Sequence, residues 1–376
     1  MDQVPWLPYG RECLANAQIS KMKILVVRLS SLGDILHLFP AISDLRRRFP
    51  DAVIHWLVEP AFAETVAWHA AIDKVISVRL RAHKKIWWKI PVLLSKLRRQ
   101  LQAEHYDVVL DAQGLIKSAI LSRLAGVEVY GFDASSARES IASRLYQKTA
   151  HVQDGLHVIE KNRQLVEQLF AADISQAADF GLEKFRAEQA QREFSVMLKG
   201  MTDLPYVVLL HGTTWNSKYW PENAWYELTR DLTQQGLQCL VPWGNEEEHQ
   251  RAFRIKSAGG EQVRVLPKLS LTELMGILLH ARAFVSVESG IGHFAAALDI
   301  PGVMLHGPTD PGYSGILDKR CRHITSGLYC SPCFKRECPR LKTRKGIPPC
   351  QQELNPKKVA TMCLAMAVPT HGGHTA

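Results

Sequence analysis

The chain has 376 residues, of which 46% are hydrophobic and 22% charged, and it carries a formal net charge of +9. Its length exceeds the span of one ordinary hydrophobic core and fits two domains. Its composition is that of a soluble globular protein, and no apolar run approaches the roughly 20 residues that cross a bilayer.

The positive charge is local. Between Arg79 and Arg99 lie eight basic residues (Arg79, Arg81, Lys84, Lys85, Lys89, Lys96, Arg98 and Arg99) and no acid. A second basic stretch runs from Lys319 to Lys345, with Glu337 alone opposing nine basic residues, so the remainder is mildly acidic. Two patches point to docking of polyanions or an anionic membrane surface, not to general nucleic-acid affinity.

Residues 1–21 lack the parts of a signal peptide and are expected to be a disordered extension. The first strand, over 23–28, runs into Ser30-Ser31-Leu32-Gly33-Asp34, and a helix starts around Ile35. Leu38, Ile42, Leu45 and Phe49 follow at helical spacing. Asp34 thus stands at the carboxyl end of a first parallel strand, where α/β proteins gather their chemistry, on a turn that Gly33 opens to close approach. The same carboxylate suits helix capping, and this segment alone leaves both readings open.

Further strands are expected over 53–58 and 75–78, an amphipathic helix over about 90–103, and a strand over 106–111. Gln113-Gly114 then opens a helix bearing Leu115, Ile116 and Ile120. A polar, weakly helical stretch over 171–201 reads as the interdomain crossover. A second series places strands over 206–211, 238–242, 262–266, 283–287 and 302–305. Between them fall helices over about 221–235, 246–257, 270–280 and 290–298. Such alternation implies two doubly wound α/β domains facing a central cleft. The expected boundaries are 22–185 and 205–350, joined by a linker over 186–204 and followed by a C-terminal helix and tail over 351–376. Neither a Gly-x-Gly-x-x-Gly turn after a first strand nor a P-loop occurs, which weakens the dinucleotide-oxidoreductase and P-loop readings. Helix N-termini could still hold a nucleotide.

Three loops of the second half carry chemistry. Thr213, Thr214 and Lys218 follow a strand and suit a phosphate, the alternative being a solvated surface lysine. Trp243 and Glu246 could meet a base and a ribose, although an acid-rich capped helix start would look the same. Glu288-Ser289-Gly290 leads into a small-residue helix whose free N–H groups, with Glu288 and His293 beside them, would face a diphosphate. His293 could equally be a structural residue. The Gly307–Gly312 turn would converge on the same mouth.

Eight cysteines without a secretory signal point to a reducing compartment. Cys330, Cys333, Cys338 and Cys350 share one Pro-rich basic segment. Their spacing resembles a zinc knuckle, yet its intervals are irregular, so reduced structural thiols are preferred to structural zinc.

Taken together, these pieces resemble the lipopolysaccharide heptosyltransferase family, glycosyltransferase family 9. In the first half they are Ser30–Asp34, Trp68-His69-Ala70-Ala71, Asp111–Ser118 and Ala137-Arg138-Glu139. In the second they are Thr213-Thr214, Lys218–Pro221, Pro242-Trp243-Gly244, Leu266-Pro267-Lys268, Ser286–Gly290 and Gly307–Gly312. The likeness runs from Met22 to about Gly315 and is greatest to members that add the first heptose. It implies a GT-B fold with the acceptor domain first, the nucleotide-sugar domain second and no obligatory metal. It implies inverting transfer of L-glycero-D-manno-heptose from ADP-L-glycero-β-D-manno-heptose to Kdo of Kdo2-lipid A.

By that resemblance Asp34 is the general base, and Lys218 with Thr213 and Thr214 holds the diphosphate. Helix N–H groups near Gly290 would stabilise the departing ADP. Ser30, Ser31, Gly33, Trp243, Gly244, Glu246, Glu288, Ser289 and His293 complete the implied donor set. Arg79, Arg81, Lys84, Lys85, Gln113 and Arg138 form the acceptor set. A monomer on the cytoplasmic face of the inner membrane is expected, peripheral to it, with Trp87 and Trp88 against headgroups and no nucleic-acid partner.

Two departures matter. Family members commonly have Asp-Thr-Gly or Asp-Ser-Gly where this chain has Glu288-Ser289-Gly290, and Cys330–Pro339 resembles the tail of members that add the second heptose. A family member with another acceptor is therefore the alternative enzyme. A basic nucleic-acid-associated protein with a cysteine metal knuckle is the alternative of another class.

Overall fold

The computed structural model describes residues 22–79, 90–191, 204–316, 320–341, 343 and 346–367. Apolar runs such as Lys23-Ile-Leu-Val-Val27 and Tyr206-Val-Val-Leu-Leu210 form the central strands of two six-stranded sheets. Such runs suit strands covered on both faces. The first sheet contains β1 (Lys23–Val27), β2 (Val53–Val58), β3 (Lys74–Ser77), β4 (Val108–Asp111), β5 (Glu128–Phe132) and β6 (Lys148–Ala150). The second contains β7 (Tyr206–Leu210), β8 (Gln238–Val241), β9 (Val263–Val265), β10 (Ala283–Val287), β11 (Gly302–His306) and β12 (Cys321–Thr325).

Their orders are β3-β2-β1-β4-β5-β6 and β12-β11-β10-β7-β8-β9, so the second sheet repeats the connectivity of the first. Every neighbouring pair is parallel. Strand order therefore reverses between β1 and β4, and again between β7 and β10, where open α/β sheets leave a crevice for ligands.

The expected α/β architecture is present, and the structure adds to it. Strands β5, β6 and β12 and the helix Val158–Phe170 have no counterpart in the sequence reading. β5 is interrupted by Gly131, β6 has three residues, and β12 reads Cys-Arg-His-Ile-Thr at a sheet edge. None offers an apolar run: β6 and β12 are edge strands, which are built short and polar, and β5, between β4 and β6, carries Glu128 and Gly131 among its five residues. The helix Leu32–Arg48 begins at Leu32, not around Ile35, which puts Asp34 in its first turn. The helix Glu183–Gln191 lies in the expected crossover, and Pro356–Ala367 is the C-terminal helix.

One apolar cluster spans both halves. It runs from Ile24, Leu38 and Trp56 through Phe39 and Phe294 to Leu210, Leu240 and Met304. Phe294 stands edge-on to Phe39 at 5.8 Å and to Trp68 at 5.3 Å, and Trp68 stacks on Phe185 at 4.5 Å. The Trp68 Nε1–H donates to Thr272 Oγ1 at 3.1 Å, and Thr272 N–H donates to Glu64 at 3.0 Å. Elsewhere on the interface, His37 and His157 donate from Nε2 to the carbonyls of Ser314 and Gly315, each at 2.9 Å.

Gly290 sets the closest approach: a Cβ there would lie 2.7 Å from Leu32 Cβ. The first turns of the helices Leu32–Arg48 and Gly290–Ala297 thus meet with no side chain from one of them.

Phe294→Ala should cost about 3–5 kcal/mol, the usual loss for truncating a buried aromatic. Urea unfolding should remain one cooperative transition for both domains with its midpoint lowered; two separated transitions would show that the domains do not share this core.

Candidate active site

At the first crevice, four groups converge on Asp34. Its Oδ1 lies 2.7 Å from Arg138 Nη2 and 3.1 Å from Arg28 Nη2. Its Oδ2 accepts from the N–H of Ser31 at 3.2 Å and from the Ser31 hydroxyl at 3.0 Å. The carboxylate therefore completes the capping box of its helix and also pairs with a guanidinium that is half exposed. Burial pushes its carboxyl up, but Arg28 and Arg138 outweigh burial and hold it well below the usual carboxylate range.

Arg28 is buried, donates from Nη1 to Ala112 O, and its own carbonyl accepts from Trp56 Nε1 at 3.0 Å. Gln113 is also buried. Its Oε1 accepts the Leu29 N–H at 2.9 Å, and its Nε2 donates to Ser30 O at 3.5 Å, so its amide fixes the loop that carries Ser30 and Ser31. Asp111, at the end of β4, accepts from Gln113 N–H at 2.9 Å and from Tyr146 Oη–H at 2.9 Å. Burial raises its carboxyl to about 6.

The second crevice is built around a buried ion pair. Lys218 Nζ lies 2.6 Å from Glu288 Oε2 and 4.1 Å from the centre of the Trp215 ring. Glu288 Oε1 lies 3.4 Å from His293 Nε2. Burial disfavours the Glu288 charge, yet His293 and Lys218 keep the carboxyl far below its ordinary value. His306 is buried, and burial lowers it to about 3, so it stays neutral while contacting Thr309 Oγ1 and His323 Nδ1.

Ser289 caps the helix Gly290–Ala297, its Oγ accepting from Gly292 N–H at 3.2 Å. Thr213 Oγ1 accepts from the Trp215 N–H at 3.5 Å, and Thr214 is exposed. The backbone carbonyls of Arg336 and Lys335 accept from the N–H and hydroxyl of Ser217 at 3.1 and 2.6 Å. The cysteine-bearing loop thereby buttresses the Lys218 turn.

The two crevices face each other. A Cβ on Gly33 would lie 3.6 Å from His293 Cδ2, and the His37 and His293 rings are 5.1 Å apart. Ser30, Ser31, Gly33, Asp34, Gln113 and Arg138 thus lie on one wall, with Lys218, Glu288, Ser289, Gly290 and His293 on the other.

Trp243 and Glu246 sit farther along the second sheet. Trp243 donates from Nε1 to Leu266 O at 2.8 Å, and His249 packs 3.9 Å from its ring. The Gly244 N–H donates to Glu248 at 2.8 Å, and Glu246 is exposed at the start of the helix Glu246–Gly259. Arg79 is exposed just beyond edge strand β3, two strand spacings or about 10 Å from β1. Arg81, Lys84, Lys85, Trp87 and Trp88 lie outside the described residues.

Among the described residues no three His, Cys, Asp or Glu side chains are placed to share an ion, and Cys330, Cys333, Cys338 and Cys350 are free thiols. Burial and the three neighbouring thiols push Cys350 up to about 11.

Arg28 was missed by the sequence reading. The available signal was a charged residue directly after an otherwise apolar strand. The stacking of Lys218 on Trp215 had no signal beyond their spacing.

Lys218→Met should destabilise the protein by about 3–5 kcal/mol, because it leaves Glu288 buried without its ammonium. Adding Glu288→Gln should recover most of that loss in a denaturant titration; additive losses would show that the pair is not coupled.

Residues 94–344 match the profile of Glycosyltransferase family 9 (heptosyltransferase). The chain is 40% identical over 360 residues to lipopolysaccharide heptosyltransferase 1 of Pseudomonas aeruginosa, an alignment covering 92% of this chain and 98% of that protein. Among solved structures, Escherichia coli heptosyltransferase WaaC with ADP aligns with a TM-score of 0.75 and 34% identity, over 90% of this chain and 98% of that one. WaaC with ADP-2-deoxy-2-fluoro heptose aligns with a TM-score of 0.71 and 36% identity, over 81% and 93%. With two sheets of repeated connectivity, crevices face to face and relatedness along most of its length, the chain belongs to glycosyltransferase family 9, the heptosyltransferases.

Proposed function

We propose that this protein transfers L-glycero-D-manno-heptose from ADP-heptose to Kdo of Kdo2-lipid A, with inversion, as a heptosyltransferase of the first type. The observation that carries the reading is the apposition of an ionised carboxylate, Asp34, to a cation-bearing crevice around Lys218. The carboxylate takes the proton of the attacking Kdo hydroxyl. The hydroxyl oxygen bonds to the anomeric carbon, the bond from that carbon to the diphosphate oxygen breaks, and ADP leaves toward Lys218. Thr213, Thr214 and the N–H groups near Gly290 receive the remaining phosphate oxygens. Glu288, held by Lys218 and His293, is placed for heptose hydroxyls, with Trp243 and Glu246 toward the nucleoside.

The acceptor enters past Arg138 and the basic stretch that begins at Arg79. The helix Ile90–Gln102 supports a peripheral location on the inner membrane's cytoplasmic face. It exposes Val92 (70%) and Ile90 (37%) beside exposed Lys96, Arg98 and Arg99. No helix among the described residues is long and apolar enough to cross a membrane.

Given ADP-heptose and either Kdo2-lipid A or its first-heptose product, the protein should extend only Kdo2-lipid A. Extension of the heptosylated product instead would assign it to the second step. Asp34→Asn should lower kcat by about 10²–10⁴ while ADP-heptose still binds; retained turnover would leave Asp34 a helix cap. Replacing Lys84, Lys85 and Lys89 by Gln should raise the acceptor KM more than the donor KM, whereas equal changes would remove the basic stretch from acceptor binding.

A further inference from the structure

A carboxylate offers about four lone-pair positions, and around Asp34 three hydrogen bonds and one ion pair occupy them. Arg28 and Arg138 share Oδ1, while the N–H and hydroxyl of Ser31 share Oδ2. A general base needs a lone pair aimed at the hydroxyl it deprotonates, so one partner has to leave before Asp34 can act.

The partners differ in how freely they can do so. The Ser31 groups belong to the same helical turn. Rotation of the hydroxyl would free a lone pair but leave both cations in place, so the carboxylate would remain a weak base. Arg28 is fixed: its side chain is 6% exposed and it donates to Ala112 O. Arg138 is different. Its side chain is 51% exposed, and among the described residues its guanidinium has no hydrogen bond or ion pair except the one to Asp34.

We propose that Arg138 is a latch on the base, released by the acceptor's own carboxylate. This rests on the acidic-sugar acceptor proposed above. A sugar carboxylate is an equivalent partner for a guanidinium and can take Arg138 through paired N–H···O bonds, where Asp34 offers it a single contact at Oδ1. Asp34 Oδ1 then gains a free lone pair and loses one of its two cations, while Arg28 stays behind as a positioning residue. The other charged and titratable groups around Asp34 are His37 on its own helix, His293 and Glu288 across the interface, and Asp111 behind Arg28.

The consequence concerns water. With donor bound and no acceptor, a free Asp34 could take a proton from water, whose oxygen would bond to the anomeric carbon as ADP left. The latch suppresses that hydrolysis and reserves the base for an acidic acceptor. The acceptor carboxylate thereby acts in turnover as well as in binding.

The test uses the full-length protein and ADP-heptose alone, with ADP release as the readout. Arg138→Gln should raise acceptor-independent hydrolysis about tenfold or more over wild type, and Arg138→Gln with Asp34→Asn should abolish the gain. Unchanged or slower hydrolysis in Arg138→Gln overturns the latch. A second arm needs no variant: wild-type protein is given the methyl ester of the Kdo carboxylate to which Arg138 would pair. The latch predicts a fall in kcat of about tenfold or more, because Asp34 stays held. A raised KM with unchanged kcat overturns it, since the carboxylate would then serve binding alone. Wild-type transfer to unmodified Kdo2-lipid A reports separately on the proposed function.

Discussion

The structure turns on one close approach, that of Gly290 to Leu32. Two helices from different domains meet at their first turns, and only the missing side chain at position 290 lets them do so. Because each helix begins at the carboxyl end of a central strand, their meeting brings the two crevices together. Asp34 and Glu288 are placed by the same contact that packs Phe39 against Phe294. Stability and site geometry therefore share one cause: interdomain packing fixes both.

Each wall of the cleft pairs its own charges. Asp34 is matched by Arg28 and Arg138, and Lys218 by Glu288. Taking a charge out of water is costly unless a partner is at hand, so the partly buried groups would not remain ionised alone. The pairing also sets chemistry. A carboxylate between two guanidinium groups is fully charged but a poor proton acceptor, and an ammonium beside a carboxylate has part of its field already spent. Under the proposed function, incoming anionic substrates exchange partners with these pairs. The surrounding histidines His37 and His306 are kept neutral by burial and add hydrogen bonds without adding charge.

Much of this was legible in the chain itself. Apolar runs marked the central strands, turn residues marked their carboxyl ends, and the positions of Asp34, Lys218 and Glu288 followed from both. The edge strands β6 and β12 were not legible, because a strand with one neighbour and an exposed face needs no apolar pattern, and β5 was hidden by Glu128 and Gly131, which break its apolar run. The helix start at Leu32 was missed because the Ser30–Asp34 motif was taken wholly as loop. Gln113 was expected at the acceptor, yet its amide is bonded to the Leu29–Ser30 backbone, a contact set by how β4 lies beside β1. The cysteines illustrate the converse: a metal-like spacing in sequence did not become a metal-like arrangement in space.

The sequence by itself determined the two-domain α/β plan, the crevice positions and the family, since periodicity and loop motifs are local along the chain. Only the tertiary structure decided which charges neighbour Asp34. Arg28 and Arg138 lie far apart in sequence and arrive from separate loops, so their distance from one carboxylate depends on strand order and on packing. Coulomb energy depends on separation in space, and no linear spacing encodes it.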